Sequence, residues 1–482
     1  MHHPTPEASP TRRQARSATR ARAGLFALAA LAVPAGAAAD GLAALAVAPR
    51  SHLPPAASDP LRPPHTRVLK GNIWTDDAGV DDFGNLYNQY KRSSVGTWSN
   101  YDETKANPFP IPDPLVLNDG SPVTDAATWW SRRRPEILDA FSTEVYGRIP
   151  APTPAVSWTV AADTAAGGVR TKTIVGRIDN AAYPAATPEI DLTLSLPAGA
   201  AGPVPVMVVV AGGGGRRPAA RPAGPAAAPP GPARTAGPTP LEQVLARGWG
   251  YAVFSTGSLQ ADSEAGLNRG IIGLMNQGRP RSDPAAWGTL TAWTWGLSRA
   301  IDYFETDPQV DAKHLGVEGH SRWGKTALWA AASDPRWAIV FASCSGEGGA
   351  KLFRRNFGET TDNIAGSSWM AANFRKYAGH WNDLPVDSNE LIALVAPRPA
   401  FITGATQDPW SDPHGEFLAE VGAGPVYRLL GRRDLGTTQP PPPNVAILAG
   451  ELGFREHVGP HTDLPDWPAF LEFAARYFPP GP

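Results

Sequence analysis

The stretch His314-Leu-Gly-Val-Glu-Gly-His-Ser-Arg-Trp-Gly-Lys325, followed by Thr326-Ala-Leu-Trp-Ala-Ala-Ala332, decides the fold. Its apolar run, its glycine-flanked polar turn and its alanine-rich run predict a strand, a sharp corner and a helix, with Ser321 at the corner. A serine hydroxyl is a weak nucleophile near neutral pH, so an enzyme must hold it on a tight turn beside a base and backbone N–H donors. We therefore predict that Ser321 is a nucleophile.

The glycines around Ser321 depart from the common spacing. Gly319 and Gly324 give the pattern G-x-S-x-x-G, whereas the second glycine of the usual G-x-S-x-G motif stands one place earlier. The bare motif is therefore weak, because a simple polar connection between a strand and a helix can carry the same residues. The predicted strand and helix on either side favour the nucleophile.

Length and composition exclude several classes of protein. The 482 residues, 42% of them hydrophobic, can bury one large core or two modest ones. With 43 basic and 45 acidic residues the net charge is −2, so we expect neither a nucleic-acid nor a membrane partner. The single cysteine, Cys344, excludes an intramolecular disulfide. The 16 tryptophans indicate core packing and, where exposed, stacking platforms for sugar rings.

The N-terminus has the order of an export signal. Arginines at positions 12, 13, 16, 20 and 22 precede an apolar run at residues 24–33 and the small residues Ala37-Ala-Ala39. We expect residues 1–39 to be a signal peptide and the protein to be extracytoplasmic, either periplasmic or secreted. An amphipathic or disordered arm is the alternative.

The remaining residues predict a linker and one catalytic domain. Residues 40–66 are rich in Ala and then Pro, as in a flexible linker, and residues 67–482 are expected to form the domain. Its N-terminal extension, residues 67–150, includes a predicted helix at Ala126–Tyr146. The apolar face of that helix is expected to hold Trp130, Ile137, Phe141 and Val145. Residues 216–240, almost all Pro, Ala, Gly and Arg, predict a disordered surface insertion.

Strands and helices alternate through the rest of the chain. Val156–Leu196 predicts antiparallel strands, and the buried strand Val204–Ala211 runs directly into Gly212–Gly215, a turn suited to a second oxyanion donor. Further strands are predicted at residues 250–255, 337–342 and 398–404, and helices at 241–247, 287–304 and 467–478. This alternation predicts an α/β fold, a three-layer sandwich with a mostly parallel sheet and helices on both faces.

A serine nucleophile also needs a histidine base, and in folds of this kind the base comes last in the chain. Of the ten histidines, only His457 and His461 follow the last predicted acid loop. We favour His461, because it lies in a polar Gly-Pro-His-Thr-Asp loop just before the terminal helix.

Several ordered motifs carry a family resemblance from about Asn100 to the C-terminus. They are Asn100-Tyr-Asp-Glu-Thr-Lys-Ala-Asn-Pro108, Glu144-Val-Tyr-Gly-Arg148, Trp287–Arg299, Gly319-His-Ser-Arg-Trp-Gly-Lys325, Ser345-Gly-Glu-Gly-Gly349, Ala396-Pro-Arg-Pro399, and His461 with Asp466-Trp467. By these motifs the chain resembles the bacterial glucuronoyl esterases, of the 4-O-methyl-glucuronoyl methylesterase family of carbohydrate esterases in the α/β-hydrolase superfamily.

The resemblance implies an α/β-hydrolase that cleaves the ester between a glucuronic acid branch of xylan and an alcohol of lignin. The expected partner is thus a glucuronoxylan or lignin–carbohydrate ester, with no metal or other cofactor, and we expect a monomer. The resemblance implies that Ser321 is the nucleophile, His461 the base and Arg322 a stabiliser of the oxyanion. Three further residues are implied to hold the uronate sugar: Lys325, Glu359 and Trp410.

The chain departs from the family at the catalytic acid. Some members place a glutamate after the strand that follows the nucleophile helix, and Cys344 occupies that position here. Asp408 lies at the general α/β-hydrolase position for the acid, which some bacterial relatives use, and Glu347 lies three residues after Cys344. We favour Asp408 over Glu347.

Two other functions are compatible with the sequence. An acetylxylan or other carbohydrate esterase on the same fold would need no cation to bind a uronate sugar. A catalytically weak, carbohydrate-binding relative would agree with the abundant tryptophans and the displaced acid.

Overall fold

In the computed structural model, a ten-stranded mixed sheet carries the molecule. The structure describes residues 69–70, 73–74, 91–92, 98–106, 110–212 and 237–481. The predicted signal peptide, the linker at residues 40–66 and most of the insertion at residues 216–240 lie outside the described residues. Two-stranded antiparallel pairs join Leu69–Lys70 to Ile73–Trp74 and Lys91–Arg92 to Trp98–Ser99.

The strands of the main sheet follow the predicted alternation. They are β1 (Val156–Ala166), β2 (Val169–Ile178), β3 (Glu189–Pro197), β4 (Val204–Ala211), β5 (Gly250–Ser255), β6 (Val310–His320), β7 (Ile339–Ser343), β8 (Ala400–Ala405), β9 (Ala446–Ile447) and β10 (Leu452–His457). Their order is β9-β10-β8-β7-β6-β4-β5-β3-β2-β1. The six strands from β10 to β5 are parallel, while β1 to β3 and β9 pair antiparallel. The predicted mostly parallel α/β sheet is confirmed.

Helices connect these strands. They are α1 (Ala126–Thr128), α2 (Arg134–Ala140), α3 (Pro240–Ala246), α4 (Thr256–Leu259), α5 (Gly270–Met275), α6 (Thr289–Phe304), α7 (Arg322–Ser333), α8 (Thr361–Ile364), α9 (Ser388–Ala393), α10 (Pro413–Leu429) and α11 (Trp467–Ala474). Within the described ranges, none is both long and apolar enough to cross a membrane.

The two faces of the sheet bury separate sets of side chains. Because successive strand residues point to opposite faces, Phe341 and Phe401 pack with α3 and α11, whereas Val340 and Ile402 join the larger cluster with α6, α7 and α10. Phe341 stacks on Phe470 of α11 at 4.7 Å between ring centroids. Helices therefore cover both faces, which produces the three-layer sandwich.

The predicted helix at Ala126–Tyr146 forms, and three of the four residues predicted for its apolar face, Ile137, Phe141 and Val145, are buried. The π-helical turns Trp129–Arg133 and Phe141–Val145 flank α2. A π turn is wider than an α turn, so the helix keeps an unbroken four-residue repeat on one side. The residues of this repeat are all buried: Trp129, Arg133, Ile137, Phe141 and Val145. The prediction that Trp130 faces the core was wrong, since its exposed fraction is 46%.

We predict that Phe141→Ala lowers the free energy of unfolding by about 3–5 kcal/mol, the usual range for a large aromatic side chain removed from a core. Phe141 packs on Tyr146 and Trp329, with ring centroids 5.8 and 6.3 Å away. Trp130→Ala, in the same helix, is the matched control and should cost less than about 1 kcal/mol. Urea denaturation of both variants checks this prediction. Equal losses of unfolding free energy would refute the assignment of Phe141 to the buried face and Trp130 to the exposed one.

Candidate active site

The predicted corner between strand and helix lies between β6 and α7. Ser321 has φ 59° and ψ −130°, a backbone conformation that costs a residue with a side chain about 1–3 kcal/mol. Two backbone hydrogen bonds hold it there: Ser321 N donates to Ser343 O at 2.9 Å, and Lys325 N donates to Ser321 O at 3.1 Å. The strained corner lifts the serine side chain out of both regular elements.

Close backbone contacts explain the unusual glycine spacing. A Cβ atom on Gly319 would lie 2.1 Å from the carbonyl oxygen of Trp323, and one on Gly324 would lie 2.9 Å from Gly319 O. The second glycine is therefore needed at position 324, and position 323 is free to carry a large side chain. The Trp323 ring uses that freedom to cover Gly212, where a Cβ atom would meet it at 2.3 Å. The neighbouring residues 213–215, part of the predicted second oxyanion turn, lie outside the described residues.

Two loops at the same edge of the sheet bring Asp408 and His461 together. Asp408 follows β8 and His461 follows β10, and the carboxyl ends of parallel strands meet at one edge. His461 Nδ1 lies 2.6 Å from Asp408 Oδ2, and the Ser411 hydroxyl donates to the same oxygen. The His461 ring is 4.2 Å, centroid to centroid, from the ring of His320, the residue before Ser321.

The environment keeps Asp408 ionised. Burial by itself raises the pKa of a carboxyl group, but the hydrogen bond and charge of His461, together with the hydrogen bonds from Ser411, lower the pKa of Asp408 below its usual value. An ionised carboxylate on Nδ1 fixes the imidazole in the tautomer that leaves Nε2 free to accept a proton. The pair is therefore arranged for general base chemistry.

The two rejected residues have other partners. His457 is buried, with Nδ1 2.9 Å from Asp466 Oδ2 and Nε2 3.0 Å from Pro460 O, so both ring nitrogens are engaged. Glu347 is also buried, where it accepts from Lys351 Nζ at 2.7 Å and from the Thr361 hydroxyl at 2.6 Å. Burial raises the pKa of Glu347 to about 8. Its oxygens thus bind Lys351 and Thr361, whereas Asp408 binds His461.

Lys325, Glu359 and Trp410 form one connected group beside the corner. The buried Lys325 ammonium donates to Ser345 O, Glu347 O and Glu359 Oε2 at 2.6, 2.7 and 2.7 Å. Glu359 N donates to Trp410 O at 2.7 Å, which joins the Glu359 loop to the Asp408 loop. All three donors of Lys325 are therefore used within the protein.

Arg322, the first residue of α7, has a partner that the sequence reasoning missed. Its Nε lies 2.6 Å from Asp262 Oδ2, and its guanidinium is 4.6 Å from the centre of the Trp323 ring. Asp262 lies in the segment after β5, another parallel strand whose carboxyl end is at this edge. The position of Asp262 after a parallel strand was the only sign in the sequence that it could reach Arg322. Because 60 residues separate the two, the sequence alone did not indicate the pairing.

Comparison with known proteins shows the family to which the chain belongs. A family model described as "Glucuronyl esterase, fungi" matches residues 282–431. The chain is 36% identical over 446 residues to carbohydrate esterase MZ0003 of an unknown prokaryotic organism, covering 86% of this chain and 97% of that relative. The chain belongs to the glucuronoyl esterase family. It is accordingly a carboxylic ester hydrolase with the α/β-hydrolase fold, as predicted.

Solved glucuronoyl esterases share this architecture. One from Teredinibacter turnerae is 38% identical, with a TM-score of 0.70, over 80% of this chain and 94% of that chain. Another, from Solibacter usitatus, is 36% identical, with a TM-score of 0.68, over 77% and 98%. The similarity therefore spans nearly the whole of each relative.

In this glucuronoyl esterase, Cys344 lies beside the acid and the base. Its thiol sulfur, an Asp408 oxygen and a His461 nitrogen all lie within 4.8 Å of one another, close enough for a metal ion. However, burial raises the pKa of the Cys344 thiol well above its ordinary value, and metals bind the thiolate. Asp408 is moreover already bound to His461 and Ser411. These donors therefore suit an acid–base pair better than a metal site.

We predict that Asp408→Asn lowers kcat by about 10²–10⁴-fold, because the amide cannot stabilise the imidazolium of His461. Glu347→Gln, the matched control, should lower kcat by less than about tenfold while reducing stability, since it weakens a buried ion pair. Steady-state kinetics with a glucuronate ester and thermal denaturation separate the two effects. A larger loss of kcat in Glu347→Gln would reverse the assignment of the acid.

Proposed function

We propose that this enzyme hydrolyses esters of glucuronic acid and its 4-O-methyl form, such as those that join glucuronoxylan to lignin, by a serine mechanism. The observation that carries the proposal is the 2.6 Å contact between Asp408 and His461 beside the strained Ser321. Membership of the glucuronoyl esterase family supports the uronate substrate.

In this mechanism, Ser321 Oγ attacks the ester carbonyl while His461 Nε2 takes its proton. The tetrahedral oxyanion is stabilised by backbone N–H groups at the corner and by Arg322. His461 then gives the proton to the leaving alcohol, which produces a uronoyl ester on Ser321. Water, deprotonated by His461, hydrolyses this ester and releases glucuronate. Asp408 remains ionised throughout and stabilises the imidazolium.

His320 stays neutral during this cycle. Burial, and then the charge of His461, lower the pKa of His320 to about 3, so its ring adds no positive charge beside the imidazolium. A charged ring with its centroid 4.2 Å away would instead repel the imidazolium that forms at His461. The close packing of the two rings is therefore compatible with general base catalysis.

We assign recognition of the sugar to Glu359, Lys325 and Trp410. Glu359 Oε1 accepts a sugar hydroxyl, while Lys325 donates to the other oxygen of the same carboxylate. The half-buried Trp410, two residues after Asp408, offers a ring face to the sugar. An acetyl ester carries no uronate ring and uses none of these groups.

We predict that Glu359→Gln lowers kcat/KM for a benzyl glucuronate ester by about tenfold to a hundredfold, the loss expected from one hydrogen bond to a charged group. Trp410→Ala, which removes the ring face, should also lower kcat/KM for this ester. Both variants should keep kcat/KM for an aryl acetate within about twofold, since acetate reaches only the catalytic residues. Ser321→Ala should abolish turnover of both esters. Equal losses on both substrates would mean that Glu359 and Trp410 support the fold rather than recognise the uronate, whereas a wild-type preference for the acetate would favour the acetyl esterase alternative.

We also propose that the enzyme is exported and cleaved near Ala39. The proposal rests on the arginines, the apolar run and the small residues of the N-terminus. Intact-mass spectrometry of enzyme collected outside the cytoplasm should give a chain that starts after about residue 39. Recovery of the chain with Met1 still attached would contradict export through this signal.

A further inference from the structure

Asp262 joins two walls of the candidate site. It lies between α4 and α5, and its side chain is about one-third exposed. One carboxylate oxygen is 2.6 Å from Arg322 Nε, and the other accepts from Trp369 Nε1 at 2.6 Å. A single carboxylate therefore holds both the proposed oxyanion residue and an indole ring on a separate segment.

The indole that Asp262 binds is itself fixed in place. The Trp369 carbonyl accepts from Leu290 N at 3.3 Å, and Gly288 lies so close that a Cβ atom there would be 2.1 Å from this carbonyl. The ring of Trp369 faces the Lys325 ammonium, 5.8 Å from the ring centre. Because both the backbone and the ring of Trp369 are held in place, its hydrogen bond fixes the position of the Asp262 carboxylate next to Arg322.

The charge of Asp262 also matters for the product. The substrate ester carries no charge at the reacting carbon, whereas the released glucuronate is an anion. An Arg322 without a counter-ion would attract this anion, since a guanidinium can bind a carboxylate through two parallel hydrogen bonds. With Asp262 at 2.6 Å, the Arg322 charge is largely balanced. The arginine can then stabilise a short-lived oxyanion without retaining the product.

We propose that Asp262 is a positioning residue that fixes Arg322 for the oxyanion and limits how tightly the site holds uronate. This inference rests on the proposed function, because it requires Arg322 to act on the oxyanion and glucuronate to be the product. The sequence on both sides of Asp262 offers a matched control. Glu264, in the same loop, pairs with Arg375 at 3.3 Å, and both side chains are about half exposed.

The decisive variant is Asp262→Asn, which keeps the size and the hydrogen bond to Trp369 but removes the charge. We expect kcat to fall about tenfold on both a benzyl glucuronate ester and an aryl acetate, because both reactions form an oxyanion. KM should change less than about threefold, and calorimetry should show free glucuronate binding about threefold to tenfold more tightly. Asp262→Glu, which restores the charge, should return glucuronate affinity towards that of the wild type. Glu264→Gln should change none of these quantities.

A second background tests whether Asp262 acts through Arg322. In Arg322→Ala enzyme, adding Asp262→Asn should cause no further change in kcat or in glucuronate affinity. The proposal is overturned if Asp262→Asn alone resembles the wild type, or if its effects persist without Arg322. If the wild-type enzyme cleaves only the aryl acetate, the proposed uronate substrate is wrong. The effect of Asp262→Asn on kcat for the acetate would still test the role of Asp262 at the oxyanion.

Discussion

The buried ammonium of Lys325 holds the site together. An unpaired cation removed from water costs several kcal/mol, so the fold must supply an acceptor for each of its three N–H groups. It does so with Ser345 O, Glu347 O and Glu359 Oε2, all within 2.7 Å. Two carbonyls of the loop after β7 and one carboxylate of the next segment thereby converge on a residue one turn into α7. The corner that holds Ser321 is therefore tied to the segment that carries Glu359.

Buried charged groups that are paired also stabilise the long connection between β7 and β8. This connection has only short helices, so many of its backbone groups are paired with charged side chains instead. Buried ion pairs recur along it, each between segments that are distant in sequence or across a tight turn: Lys351 with Glu347, Arg354 with Asp387, and Arg355 with Asp412. Asp387 accepts from Phe353 N at 2.7 Å, and Lys351 Nζ donates to Leu352 O and Arg355 O. Loops built in this way can hold catalytic and binding groups as firmly as a helix does.

What the sequence could and could not predict follows from the range of the interactions. The strand, corner and helix around Ser321 depend on residues within a few positions, and the pattern of apolar residues was enough to predict them. In the N-terminal helix the sequence predicted the wrong tryptophan for the buried face, Trp130 rather than Trp129, because two π turns change the period of the helix. The pairing of Arg322 with Asp262 joins different segments and left no periodic signal. The choice between Asp408 and Glu347 depended on partners: Lys351, one turn along, pairs with Glu347, and Ser411 and His461 bind Asp408.

The thiol at position 344 is consistent with a site that carries one negative charge beside its base. Close to this site, burial raises the pKa of Glu416 to about 8 and raises the pKa of Glu420 well above its usual value. Glu416 accepts from the Ser345 hydroxyl and from Gly346 N, and so supports the loop after β7. A carboxylate in place of Cys344 would lie within about 5 Å of Asp408, where each like charge raises the pKa of the other. With a neutral thiol there, Asp408 keeps its low pKa, and the full attraction of its charge acts on the imidazolium of His461.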